Sequence, residues 1–262
     1  MNFLAKWRLR KPADDAETAY VSEKFGVRSL HIGSDTVQSA MRLAKPLDLE
    51  LAYTRSMMAF LLFNDDPRDV FMIGLGGGSL AKFIYHRLPA AVTRVVEKSD
   101  QVVAIARQMF QLPADDERLE VVVGDGADWV TRDEVWADVL IVDGYDAESQ
   151  AEALSTKAFY EDCRKRLEPQ GILVINLWGG DREFNQTLRR IEAAFPAGTL
   201  CLPAEKPGNV IVFGFRSPPD GVRWGGLAER AVALQARHGL EFPRFVESLR
   251  KMNRHDAESL LF

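Results

Sequence analysis

Residues 70–78 read Val-Phe-Met-Ile-Gly-Leu-Gly-Gly-Gly. Val70 to Ile73 is an apolar strand that runs straight into a glycine-rich turn. A helix is expected next, because Leu80, Phe83, Ile84, Arg87 and Leu88 follow at helical spacing. Glycines at such a turn let the backbone bend tightly and approach a ligand closely. Glu97 stands twenty-three residues after Gly74, at the end of a second apolar strand, Val92 to Val96. An acid in that position can accept hydrogen bonds from ribose hydroxyls. Strand, glycines, helix, strand and acid together point to a nucleoside-containing ligand.

The alternation continues on both sides of this stretch. Strands are expected at 69–73, 92–97, 119–123, 137–142 and 170–176, with two more at 198–202 and 209–215. Most are continuous apolar runs, as in a sheet covered by helices on both faces. The helices between them carry single apolar stripes: Val102, Ile105, Ala106 and Met109; Phe159, Cys163 and Leu167; Phe184, Leu188, Ile191 and Phe195. Ser99 is placed to cap the first of these, and Ser155 or Thr156 the second. Residues 26–43 read as two short strands around Gly33-Ser34-Asp35, and 47–63 as an apolar helix ending at a turn, Asn64-Asp65-Asp66-Pro67. Pro218-Pro219 marks a boundary, beyond which 221–254 reads as two amphipathic helices. The expected fold is α/β: a Rossmann-like, doubly wound, mainly parallel sheet. The expected division is an N-terminal β-hairpin and helix region over 1–63, a nucleoside-binding domain over 64–217, and a C-terminal helical extension over 218–262.

Bulk properties exclude several partners. A chain of 262 residues with 47% hydrophobic residues suits one α/β domain with additions. A net charge of −5 argues against nucleic acid. No apolar run approaches the roughly 18 residues of a membrane span, and the basic N-terminus lacks the apolar stretch of a signal peptide. Cys163 and Cys201 read as free thiols of a cytoplasmic protein. The four histidines show no metal-ligand spacing, so no metal site is expected.

The chemistry concentrates at carboxyl ends of expected strands, where a doubly wound sheet binds its ligand. Gly74, Gly76 and Gly78 follow the first strand, Glu97 the second, and Asp125 and Gly126 the third. Asp125 is placed to accept a hydrogen bond from an adenine amino group, and equally to cap the helix starting near Ala127. Asp143, Tyr145 and Asp146 follow the fourth strand in Val142-Asp143-Gly144-Tyr145-Asp146. Close carboxylates raise each other's pKa, which tunes one of them as a base. Trp178 follows a strand end and is a candidate pocket wall, although tryptophans more often fill cores.

Several segments in sequence resemble the spermidine synthase (polyamine aminopropyltransferase) family. They are Ile73-Gly74-Leu75-Gly76-Gly77-Gly78, Val96-Glu97, Gly124-Asp125-Gly126, Val142 to Asp146, and Phe159-Tyr160-Glu161-Asp162-Cys163. The resemblance covers about residues 26–215, and its nucleoside half is shared with S-adenosylmethionine-dependent methyltransferases. It implies a small N-terminal β-rich domain, a methyltransferase-type Rossmann domain and a homodimer. By resemblance, Glu97 holds the ribose, Asp125 the adenine end, and Asp143 deprotonates an attacking amine. Gln38 lies near the family's nucleoside-contacting glutamine, and Tyr53 falls at the tyrosine of its Tyr-His-Glu or Tyr-Gln-Glu motif. Asp146, Tyr145 and Trp178 are the expected substrate contacts.

Two departures bear on substrate. Gly77 stands where the family carries an aspartate facing the amine of decarboxylated S-adenosylmethionine, so intact S-adenosylmethionine becomes admissible. Tyr53-Thr54-Arg55 replaces a carboxylate by a guanidinium, which disfavours a dicationic acceptor such as putrescine. The leading expectation is aminopropyl transfer from decarboxylated S-adenosylmethionine to a small amine. The alternatives are a methyltransferase using the intact donor and a non-catalytic nucleoside-binding module whose C-terminal helices supply a partner surface. A nicotinamide dehydrogenase fits less well, because Asp125 and Asp143 have no natural role there.

Overall fold

The computed structural model describes residues 18–144, 152–204, 208–219 and 222–262. Two sheets are present. A three-stranded antiparallel sheet comprises β1 (Ala19–Lys24), β2 (Val27–Ile32) and β3 (Val37–Arg42). The large sheet has seven strands: β4 (Asp69–Ile73), β5 (Val92–Glu97), β6 (Leu119–Val123), β7 (Ala137–Val142), β8 (Leu167–Trp178), β9 (Thr199–Pro203) and β10 (Asn209–Phe215). Its spatial order is β6-β5-β4-β7-β8-β10-β9. Only β10 runs against its neighbours, so the sheet is mainly parallel, as expected.

Strand β4 is the switch point. The chain leaves it to one side for β5 and β6, then returns to its other side for β7. Both faces of β4 are covered, which is why it reads as an unbroken apolar run. Val70 and Met72 enter one core cluster, while Phe71 and Ile73 enter the other.

The helices obey their caps. Helix α3 (Asp100–Met109) starts at Ser99, whose side chain accepts from the Val102 amide. Thr156, not Ser155, caps α5 (Lys157–Lys165): its hydroxyl accepts from the Phe159 amide at 3.1 Å, while Ser155 turns back to the Glu152 carbonyl. After α6 (Phe184–Ala194), the expected tail helices are α7 (Trp224–His238) and α8 (Phe242–Met252). They bury Leu227, Ala231, Leu234, Phe245 and Leu249 in the core cluster that also holds Met72 and Ile141. Each Leu or Phe among them contributes about 1.5–3 kcal/mol when fully buried, so the tail belongs to the core.

Three expectations change. The apolar stretch 47–63 is one short α-helix, α1 (Ala52–Met57), followed by a 3-10 turn over Met58–Leu62. Met57 to Leu62 are all fully buried, so no polar face marks where the helical period changes. The N-terminal region has a third strand, β1, absent from the sequence reading. Ser22, Glu23 and Lys24 lie exposed at its end, which hides the alternation. In addition, β8 extends beyond the expected 170–176 at both ends.

Helix α2 (Ser79–Arg87) joins the small sheet to the large one through a buried charge. Lys82 is 1% exposed. Its Nζ donates to the carbonyls of Phe110 at 2.6 Å and Pro46 at 3.0 Å, and approaches Met41 Sδ. Burial lowers its pKa from 10.5 to about 8. Between these values the unfolded chain holds more protons than the folded one, so stability must rise with pH across that window. Equilibrium unfolding at pH 7.5, 9 and 10.5 is expected to show this gain in wild type and a smaller one in Lys82→Met. Equal pH dependence in both proteins would refute the assignment.

Candidate active site

Four strand ends converge at the switch point. The turn after β4 is possible because Gly74, Gly76 and Gly78 have φ of +92°, +53° and +71°, a region that side chains disfavour. Gly74 is doubly required, since a Cβ there would lie 2.3 Å from the Asp143 carbonyl oxygen. Gly126 is held close to β4 as well: its Cβ would meet Ile73 Cγ2 at 2.3 Å. The glycines thus bring the ends of β4, β6 and β7 together.

Glu97 fixes the turn from β5. Its Oε2 accepts from the Leu75 amide at 2.8 Å and its Oε1 from the Ser99 amide at 2.9 Å. A carboxylate has about four acceptor positions, so two protein bonds leave capacity for ribose hydroxyls. Asp125 caps the short α4 (Gly126–Trp129), accepting from the Ala127 amide at 2.8 Å. Its second carboxylate oxygen has no bond to that amide.

Asp143 lies at the end of β7. Asn176 on β8 donates its Nδ2 to Asp143 Oδ1 at 2.9 Å, and Tyr53 on α1 makes a side-chain hydrogen bond to the same carboxyl. Burial raises the Asp143 pKa, those two hydrogen bonds oppose the rise, and the charge of Glu97 adds to it. A carboxylate poised above its ordinary range is suited to take a proton. The backbone carbonyl of Gln38 lies 3.2 Å from the Tyr53 hydroxyl and competes for its single proton. The small sheet therefore reaches the site through β3, where Ser39 lies beside Gly76 and Gly77.

The structure thus brings together Gly74, Gly76, Gly78, Glu97, Asp125, Gly126, Asp143, Tyr53 and the backbone of Gln38. Trp178 is 47% exposed at the end of β8, two residues beyond Asn176 and so on the same side of the strand. Its ring packs on Gly180 and Gly208, where a Cβ would lie within 2.7 Å and 2.0 Å of ring atoms. Tyr145 and Asp146 lie outside the described residues.

The sequence reading missed Asn176 and Asn209. Asn209 on β10 donates to Asn176 Oδ1 at 2.9 Å. The available signal was a single amide inside the apolar run Ile172 to Leu177. The reading of Arg55 also needs correction. Its guanidinium pairs with Glu241 at 2.8 Å and donates to the carbonyls of Leu49 and Glu50. Its charge is therefore balanced by the start of α8 and does not stand unopposed against an acceptor.

The sequence matches the spermine/spermidine synthase domain over residues 50–203. The chain is 43% identical over 254 residues to the polyamine aminopropyltransferase of Chromobacterium violaceum, covering 97% of each. The chain belongs to the spermine/spermidine synthase family. It is also 33% identical over 146 residues to an eEF1A lysine and N-terminal methyltransferase of Danio rerio, covering 50% of this chain and 21% of that protein. Among solved structures, human methyltransferase-like protein 13 in complex with SAH superposes with a TM-score of 0.64 at 24% identity, covering 79% of this chain and 96% of that one. That likeness shows the fold to be of the methyltransferase type.

The two glycine environments make a matched test. Gly74→Ala combines a left-handed φ with a backbone collision, so it is expected to cost about 3 kcal/mol or more. Gly225→Ala in α7 meets nothing within 4 Å and is expected to be neutral or stabilising by up to about 1 kcal/mol. Denaturant titration of both variants reads the contrast, and equal stability would remove the structural argument for the turn.

Proposed function

We propose that the protein transfers an aminopropyl group from decarboxylated S-adenosylmethionine to a small amine. The observation that supports this most is the partly proton-seeking Asp143, held by Tyr53 and Asn176 beside Glu97 at the switch point. The donor carries positive charge at its sulfonium and its amine. Glu97, Asp125 and Asp143 supply negative charge at strand ends on both sides of β4, from β5, β6 and β7. The glycine turn offers a cradle whose one side chain, Leu75, is buried, so the residues present suit a nucleoside.

In this reading Glu97 binds the ribose, Asp125 and Gly126 the adenine end, and Gln38 the nucleoside from the small sheet. Gly74, Gly76 and Gly78 let backbone approach the donor. Asp143, assisted by Tyr53, accepts a proton from the acceptor amine, freeing its nitrogen lone pair. That lone pair forms the new N–C bond at the methylene carbon next to sulfur. The C–S electrons leave with sulfur, giving the neutral thioether methylthioadenosine. Sulfonium is already a good leaving group, so the protein supplies chiefly orientation and a base. Trp178, Tyr145 and Asp146 are assigned to the acceptor side. No resident metal is needed. Residues 64–217 form the nucleoside-binding unit in this proposal, and the protein acts as a cytoplasmic homodimer with no nucleic acid or membrane partner. Among the described residues no helix is long and apolar enough to cross a membrane.

One observation favours a second reading, methyl transfer from intact S-adenosylmethionine. Residue 77 has no carboxylate, and its Cβ direction is closed by Ser39 Oγ at 2.7 Å and Phe110 Cδ1 at 2.8 Å. The partial match to a methyltransferase sequence agrees with it.

Incubation with decarboxylated S-adenosylmethionine and a panel of diamines is expected to yield methylthioadenosine and a lengthened polyamine. Asp143→Asn is expected to lower kcat by about 10²–10⁴-fold while binding methylthioadenosine as wild type does. Turnover of the intact donor alone, with a labelled methyl group reaching an acceptor, would replace the first reading by the second.

A further inference from the structure

Asn176 is 3% exposed and lies between the end of β7 and β10. A carboxamide can present either its NH2 or its oxygen to a neighbour. Facing a carboxylate, the NH2 is attractive and the oxygen repulsive. Here the attractive choice is supported from the far side as well. Asn209 Nδ2 donates to Asn176 Oδ1 at 2.9 Å, which leaves Asn176 Nδ2 directed at Asp143 Oδ1, also at 2.9 Å.

We propose that Asn209 and Asn176 form an oriented amide relay that positions Asp143 and favours its ionised form, making both of them positioning residues for the base. The proposal rests on the reading of Asp143 as the proton acceptor. The relay crosses three strands. Ile211 pairs with Asn176 in the β10–β8 ladder, and Asn209 pairs with Trp178. Val142, next to Asp143, pairs with Ile175 in the β7–β8 ladder. The ladders thus set the separations that the two side chains need. Rigid strands hold such a constellation better than loops do.

The groups facing Asp143 define what the relay must offset. Among the described residues, Tyr53 from α1 and Glu97 from β5 are the titratable ones, and Asn176 is the neutral amide from β8. The glycine turn of β4 contributes backbone only. Burial and Glu97 both disfavour the anion, whereas Asn176 and Tyr53 favour it. If Asn209 loses its donor, Asn176 Oδ1 loses the bond that supports this orientation, and the bond of Asn176 Nδ2 to Asp143 is weakened.

Two readouts test this. The Asp143 carboxyl is titrated by ¹³C NMR, assigned by its loss in Asp143→Asn, and the acidic limb of the kcat/KM profile is measured alongside. Asn209→Leu is expected to move both upward by about one pH unit, with methylthioadenosine binding and the thermal melt near wild type. The lowered activity is expected to recover at high pH. Asn209→Asp is expected to shift the titration further, because its carboxylate attracts the Asn176 NH2 and adds its own charge. This second variant keeps the test available if Asn209→Leu does not fold. An Asp143 titration unchanged in the folded variants overturns the relay, whatever their activity. A shifted titration in a protein that forms no lengthened polyamine would support the relay and overturn the reaction assigned to the site.

Discussion

The contact between Gly74 and the Asp143 backbone governs the rest of the site. The Asp143 amide donates to the Ile73 carbonyl at 2.9 Å, continuing the β4–β7 ladder one step past the strands. That step places the Asp143 carbonyl where a Cβ of residue 74 would otherwise be. A side chain at 74 would separate the two strand ends by at least an atomic radius. Asp143 would then leave Asn176 and Tyr53, whose bonds tolerate only a few tenths of an ångström. The glycine is thus as much a condition for the base as for the nucleoside cradle.

A second constraint acts from the other side of β4. The Gly74 amide donates to Val96, and the Gly124 amide to Glu97, so the ladders persist past the ends of β4, β5 and β6. Glu97 then closes the turn by accepting from Leu75. The same carboxylate raises the pKa of Asp143 through its charge. One residue therefore shapes the cradle and tunes the base. Its removal would loosen the turn while making Asp143 easier to ionise, so its effects on binding and on proton transfer have opposite signs.

Most of this was legible in the sequence, for a topological reason. Strand ends of a doubly wound sheet meet at the switch point, so residues distant in sequence could be assigned to one place from strand boundaries alone. Glu97, Asp125 and Asp143 are in that class. Asn176 was not read because its strand neighbours are all apolar, Asn209 because it follows Glu205-Lys206-Pro207-Gly208 and reads as part of a turn, and the pairing of β8 with antiparallel β10 cannot be deduced from alternation. The 3-10 turn after α1 escaped for the opposite reason, uniform burial. Arg55 shows the limit of arguing charge from position: its partner Glu241 is nearly two hundred residues away, on a helix whose docking only the folded chain displays.

Residue 77 joins these threads. From the sequence, glycine there looks like a vacancy where an acid might have stood. In the fold that direction is filled by Ser39 from β3 and by the Phe110 ring. Phe110 in turn is held through its carbonyl by Lys82, which also grips Met41 of the small sheet and the Pro46 carbonyl just beyond it. A carboxylate could return to position 77 only if Phe110 moved, and that movement would disturb the buried ammonium and the seat of the small sheet together. The closed side of residue 77 is therefore a consequence of how the small sheet packs on the end of α3, and the charges at the strand ends are those of Glu97, Asp125 and Asp143.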